Sequence, residues 1–175
     1  MKTESIVLGG GCFWCLEAAY LQIDGVVSSI SGYAGGSVPS PTSDAVYSGK
    51  TGHAEVVHIT FDTTKLNLKD ILEVFWVIHD PTTLNRQGHD IGEMYRSIIL
   101  YANKEQKEVA RQSIKEVAKL WSYPIVTTLE PLTIFYPAEE HHQNFFIKHP
   151  ESAYCQVVIN PKLAKLREKF VDKLK

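Results

Sequence analysis

The chain has 175 residues, 44% of them apolar and 22% charged, with a formal net charge of −2 at pH 7. That composition describes a soluble globular chain long enough to bury a core without a disulfide framework or a metal. No excess of Lys or Arg is present to neutralise phosphates, which excludes non-specific binding to nucleic acid or anionic membrane, and no apolar run reaches the length of a bilayer span.

In chain order, Met1–Ser5 is polar and Ile6–Leu8 is too short for the apolar region of a secretory signal, so a cytoplasmic protein is expected. Glu4–Leu8 reads as a short buried strand, broken by Gly9, Gly10 and Gly11. Cys12–Gln22 follows as a helix with Trp14, Ala18 and Leu21 at helical spacing. Gly25–Ser31 reads as a strand. Gly32–Gly52, rich in Gly, Ser, Pro and Thr, reads as a long ordered loop of the kind that carries function. Ala54–Phe61 is a strand with Val57, Ile59 and Phe61 on one face, and Leu68–Ile78 is a helix. Pro81–Glu93 is a second polar loop, and Tyr95–Tyr101 is strand-like.

Lys104–Leu120 reads as an amphipathic surface helix with a stripe of Val109, Ile114 and Val117. Ile125–Leu129 and Leu132–Phe135 read as short strands, Ala138–Lys148 as a helix, and Pro161–Lys175 as a charged, solvated helix with Pro161 in its first turn. Strands and helices mix without strict alternation and without an internal repeat. The expectation is α+β: one domain over residues 1–175, core about 4–155, with a mixed central sheet flanked by helices.

The three cysteines are Cys12, Cys15 and Cys155. An odd number in a reducing compartment points to catalysis or metal binding rather than to structural disulfides. In Gly9-Gly10-Gly11-Cys12-Phe13-Trp14-Cys15, glycines make a turn and a cysteine opens a helix. Helix-start N–H groups and the helix dipole favour negative charge there, so a lowered thiol pKa is expected at Cys12. Three glycines in a row fit neither the dinucleotide fingerprint nor a P-loop. Cys12-x-x-Cys15 alone would suit a dithiol redox motif. A zinc site with His141 and His142 lacks a second spaced pair, and adjacent helical residues point about 100° apart, so no metal is expected. A cleft built on Phe13 and Trp14 would also suit a non-catalytic peptide binder.

These segments, GCFWC, GYAGG, SGKTGHAEVV, DPTTLNRQGHDIGEMYRS, FYPAEEHHQNFF and AYC, recur in one order from about Ile6 to Cys155. The chain thereby resembles the A-type peptide methionine sulfoxide reductases. The resemblance implies a two-layer, ferredoxin-like α+β core and reduction of the S epimer of methionine sulfoxide, free and in proteins, as repair of oxidative damage. It implies no bound cofactor, thioredoxin or another dithiol as reductant, and a monomer. Cys12 would attack the sulfoxide sulfur, and Glu55, its pKa raised by burial, would protonate the oxygen. Tyr95 would hydrogen-bond the oxygen or the acid, Asp90 would organise the polar network, and Phe13 and Trp14 would hold the substrate methyl. The sequence departs from the family at Ser43, where Tyr is common, and at Tyr47, where Cys is frequent; Tyr47 or Tyr33 would supply the missing hydroxyl. Cys155 is the favoured resolving thiol, with Cys15 as alternative or relay; a packed strand over Cys155–Ile159 is the structural alternative.

Overall fold

The computed structural model describes residues 1–175, the whole chain. Its centre is a six-stranded sheet. Strand β1 (Thr3–Gly9) lies between β3 (Ala54–Asp62) and β6 (Ile98–Tyr101), and β2 (Val26–Ala34) pairs with the far side of β3, all antiparallel. Helix α1 (Phe13–Leu21) links β1 to β2, α2 (Ser43–Tyr47) lies between β2 and β3, and α3 (Leu68–Ile78) follows β3. The unit β1-α1-β2-β3-α3-β6 with spatial order β6-β1-β3-β2 is the ferredoxin-like arrangement. A two-residue ladder of β4 (Arg86–Gln87) and β5 (Asp90–Ile91) precedes β6. Helix α4 (Lys104–Ala118) leads to β7 (Thr128–Pro131), which pairs with β6 in parallel and makes the sheet mixed, and β8 (Tyr136–Pro137) closes the other edge on β2.

The period-2 pattern of β3 divides the sheet into two faces. Val57, Ile59 and Phe61 join Ile6, Leu8 and Ile99 in the main core, together with buried residues of α1, α3 and α4. Val7, Val56, Ile98 and Leu100 form a smaller cluster on the opposite face, covered by Leu132 and Phe135. Nearly every side chain of α1 is buried, as expected of a helix apolar all round. Asn67 and Asp70 exchange backbone bonds of 2.9 Å in a capping box that starts α3.

Several expected elements differ. The loop after β2 contains α2, capped by Thr42, and β2 itself runs on to Ala34. Tyr95 ends a 3-10 turn, Glu93–Tyr95, and the strand begins only at Ile98. The buried stripe of α4 is Gln106, Ala110, Ser113 and Val117, and Val109 faces outward. Small and polar residues win there because Gln106 bonds Glu4 and the Ser5 carbonyl, and Ser113 accepts from the Trp76 indole at 2.8 Å. Leu132–Phe135 is no strand, because it crosses the second face of the sheet. Ile125–Leu129 shifts to β7, where Pro131 is tolerated at the sheet edge.

Ala138–Lys148 is no single helix. A turn over Glu140–His142 is followed by left-handed Asn144 (φ +55°) and the short α5 (Phe145–Lys148). The Gln143 amide stops the helix by bonding both Ser31 backbone groups and the Ala138 carbonyl. Cys155–Ile159 is a π-helical turn rather than a strand, and it runs into α6 (Asn160–Lys169). This tail is not a solvated appendage: Leu163 and Leu166 are fully buried in the main core. Leu163→Ala should therefore cost about 2–5 kcal/mol, measured by urea unfolding; a change below 0.5 kcal/mol, roughly that of a surface site, would contradict the docking of α6.

Candidate active site

Strand β1 ends in a glycine turn because nothing larger fits. A Cβ on Gly9 would lie 2.9 Å from the Glu55 carbonyl oxygen, and Gly11 has φ +89°. The Gly11 N–H donates to the Tyr95 carbonyl at 3.1 Å, tying this turn to the one before β6. Cys12 then occupies the cap position of α1 with extended backbone and no side-chain cap bond. The first helical amides are thus free for other partners. Phe13 N–H donates to Glu55 Oε1 at 3.1 Å, and Trp14 N–H bears on the Cys12 sulfur. Glu55 has the same parity on β3 as Val57 and Ile59, so its side chain turns toward α1 and is 1% exposed.

Burial dominates the electrostatics. Glu55 is pushed up to about 8, first by desolvation; the Phe13 and Cys12 hydrogen bonds offset this only in part. Cys12, 8% exposed, is pushed well above the ordinary thiol value by burial, then by the Glu55 charge and by Cys15. The expectation of a lowered Cys12 pKa is thereby corrected. A helix terminus contributes about 0.3–1 kcal/mol, whereas desolvating an ion costs several kcal/mol, and one of the two leading amides is spent on Glu55. The resting pair is a thiol beside a carboxylic acid.

The other sequence candidates surround this pair. Asp90, on β5, accepts from Tyr154 Oη at 2.7 Å. Tyr95 and Tyr47 are both raised by burial, with Glu55 the next cause and Cys12 also contributing, so both phenols lie in the field of the site. Tyr47 is 44% exposed. Tyr33 pairs with Glu55 across β2–β3, but its hydroxyl donates to Glu139 at 3.1 Å, as does the Ser43 hydroxyl at 2.6 Å. Phe13 is wholly buried, against Tyr33 and His142, and presents no open surface. The Trp14 indole is stacked on Phe145 at 3.6 Å. Cys15 and Cys155 are both buried free thiols.

Sequence reasoning missed several neighbours. Tyr154 reaches Asp90 and also lies 3.7 Å from Cys15 Sγ. Arg96 donates to the carbonyls of Gly52 and Glu93, pinning the approach to β3 against the Tyr95 turn. Glu139 gathers Ser43 and Tyr33. His79, assigned no chemistry, underlies Gly10 and bonds Phe75 and Ser97, with burial pushing it down to about 4. The AYC, AEEHHQ and GEMYRS segments contain Tyr154, Glu139 and Arg96, but no pattern in the sequence marked these roles.

The sequence profile of the family described as Peptide methionine sulfoxide reductase matches residues 4–174. This chain belongs to that family. A peptide methionine sulfoxide reductase MsrA of Saccharolobus solfataricus is 52% identical over 172 residues, covering 98% of this chain and 97% of the relative. Mxr1 of Saccharomyces cerevisiae in reduced form superposes with a TM-score of 0.81 at 33% identity, covering 88% of this chain and 90% of the yeast chain. The same yeast protein in complex with Trx2 gives 0.58 at 28% identity, with coverages of 82% and 85%.

For this reductase, the buried pair predicts slow alkylation of Cys12 at neutral pH. Followed by mass spectrometry, the iodoacetamide rate should have a midpoint above that of free cysteine, about 8.5. Glu55→Gln, which removes the neighbouring charge, should lower that midpoint. A wild-type midpoint below 8 would contradict the burial argument.

Proposed function

We propose that this reductase converts methionine S-sulfoxide, free and in proteins, to methionine through attack by Cys12 with Glu55 as the acid. The observation that carries this reading is the Cys12–Glu55 pair at the start of α1, with the carboxyl raised to about 8. A sulfoxide sulfur accepts a nucleophile only as its oxygen gains a proton, so a sulfur and a proton-bearing carboxyl on one substrate suit that step. In the form that holds one proton, the Glu55 carboxylate takes it from the thiol, the thiolate attacks the sulfoxide sulfur, and the carboxyl returns the proton to the sulfoxide oxygen. The resulting hydroxyl then passes to the Cys12 sulfur as the new S–S bond breaks and methionine leaves. Thiol plus sulfoxide becomes sulfenic acid plus thioether, with no net proton consumed. Tyr95 hydrogen-bonds the oxygen, Asp90 holds the polar network, Tyr47 closes the solvent side, and Trp14 backed by Phe13 receives the methyl.

A second thiol then displaces water from the sulfenic acid to form a disulfide. Cys155 fills that role in this proposal, with Cys15, one helical turn from Cys12, as the alternative or relay. A dithiol partner restores the thiols. The thioredoxin complex of the yeast relative favours thioredoxin, and no bound cofactor enters the cycle. The protein acts as a cytoplasmic monomer in which residues 1–175 form one catalytic domain. It engages oxidised proteins and free sulfoxide, not nucleic acid or membrane; no helix is long and apolar enough to cross a membrane.

Turnover of resolved sulfoxide epimers with dithiothreitol or thioredoxin tests this reading. Activity should be confined to the S epimer, vanish in Cys12→Ser, and fall about 10²–10⁴-fold in Glu55→Gln. Full activity in Glu55→Gln, with dependence on Cys15 alone, would favour a general dithiol reductase instead.

The pair also sets the pH profile. With both protons present there is an acid but no nucleophile, and with both gone a nucleophile but no acid; the reactive form holds one. Glu55, at about 8, loses its proton before Cys12. Single-turnover methionine release should therefore rise as pH approaches 8 and fall once the second proton leaves. A rate that declines steadily from pH 6 upward would contradict this assignment.

A further inference from the structure

A second tyrosine hydroxyl is lacking at position 43, and Tyr154 brings another phenol to the start of α1. Ser43 occupies that tyrosine's position and turns its hydroxyl to Glu139, which also holds Tyr33. Tyr154 Oη instead lies between Asp90 Oδ2, at 2.7 Å, and Cys15 Sγ, at 3.7 Å. Its ring stands edge-on to the Trp14 indole, centroids 5.6 Å apart at 79°. The next residue, Cys155, is fully buried. One phenol thus joins the acidic residue, the Cys15 sulfur one turn into α1 and the segment that carries Cys155.

We propose that Tyr154 is a further catalytic residue, its hydroxyl turning from Asp90 to hydrogen-bond the Cys12 thiolate as attack begins. The proposal rests on the reduction chemistry given above. A phenol has one proton to donate and lone pairs to accept with. In the resting enzyme Asp90 takes that proton, leaving the oxygen free to accept from a thiol. Once Cys12 ionises, a second anion competes for the same proton, and a bond to an ionised sulfur is stronger than one to a thiol. That bond favours the thiolate at Cys12 and opposes the penalty of burial.

The charged and titratable groups around this hydroxyl are Asp90, Cys12 and Cys15, with Lys162 of α6 acting on Cys15. No covalent bond to Tyr154 forms or breaks. Because Tyr154 precedes Cys155 directly, a swing that delivers Cys155 to Cys12 withdraws the hydroxyl. Assistance is therefore confined to the state in which the resolving thiol is still packed away.

Two variants test the role. Tyr154→Phe keeps the ring on Trp14 and removes only the hydroxyl. Its first release of methionine from methionine S-sulfoxide, without reductant, should slow about tenfold, the worth of one hydrogen bond. The pH midpoint of Cys12 alkylation should move upward. Fluorotyrosine at position 154 preserves the fold and is a stronger donor, so it should move that midpoint downward. Unchanged release in Tyr154→Phe, or slowed release with a midpoint indifferent to fluorotyrosine, overturns the proposal, the latter by assigning Tyr154 a purely structural part. Wild-type protein that releases no methionine would overturn the underlying chemistry, not the role of Tyr154 within it.

Discussion

The site depends on one buried carboxyl that receives too few hydrogen bonds to stay ionised. Glu55 lies on the core-facing side of β3 and accepts one backbone bond, from Phe13. Glu139, a few residues' width away across Tyr33, shows the opposite outcome. Burial also works against its charge, but Ser43 N–H, Ser43 Oγ and Tyr33 Oη donate to it and hold it down to about 2. Two glutamates flanking one tyrosine therefore separate by their donor counts and exposure, one to anchor loops as an anion and one to keep a proton near neutrality. Glu17, buried and bonded by Ser31, falls between them at about 7.

The capless start of α1 supplies the one backbone donor that Glu55 does receive. An ordinary Ser or Asp at position 12 would satisfy the leading amides itself. A cysteine does so poorly, and the freed N–H groups divide between Glu55 and the sulfur. The Cys12 sulfur and the Glu55 carboxyl are thus held at the same helix turn, and the tight packing of Gly9 on the Glu55 carbonyl fixes their spacing. The arrangement keeps Cys12 as a thiol until substrate arrives, which protects a buried sulfur from adventitious oxidation.

Much of the fold was legible because it follows hydrophobic period. The alternation in β3, the capped helix α3 and the strand–glycine–helix start at Cys12 all appear where the pattern puts them. Two of the failures share one physical cause, long-range polar contacts that override local pattern. Gln143 breaks the expected helix after Ala138 by bonding Ser31, and Gln106 reorients α4 by bonding the β1 strand. Leu163 and Leu166 bury a tail whose charge suggested solvent. At the candidate site, the nearness of Glu55 to the Cys12 turn followed from the motif resemblance, yet the sign of the Cys12 shift did not. It depends on how deeply the turn is buried, which no local spacing reveals. The Tyr154–Asp90 contact was hidden for a similar reason, since the two residues are 64 apart in sequence.

The central claim is that Glu55 and Cys12 titrate as one buried pair. Carbon-13 NMR of the Glu55 carboxyl, followed through pH in the wild type and in Cys12→Ser, tests it most directly. The account predicts a principal transition near 8 and a further chemical-shift change at higher pH, as Cys12 ionises, that disappears in Cys12→Ser. A Glu55 carboxyl that titrates once, near its ordinary 4.5, and identically in both proteins would contradict it.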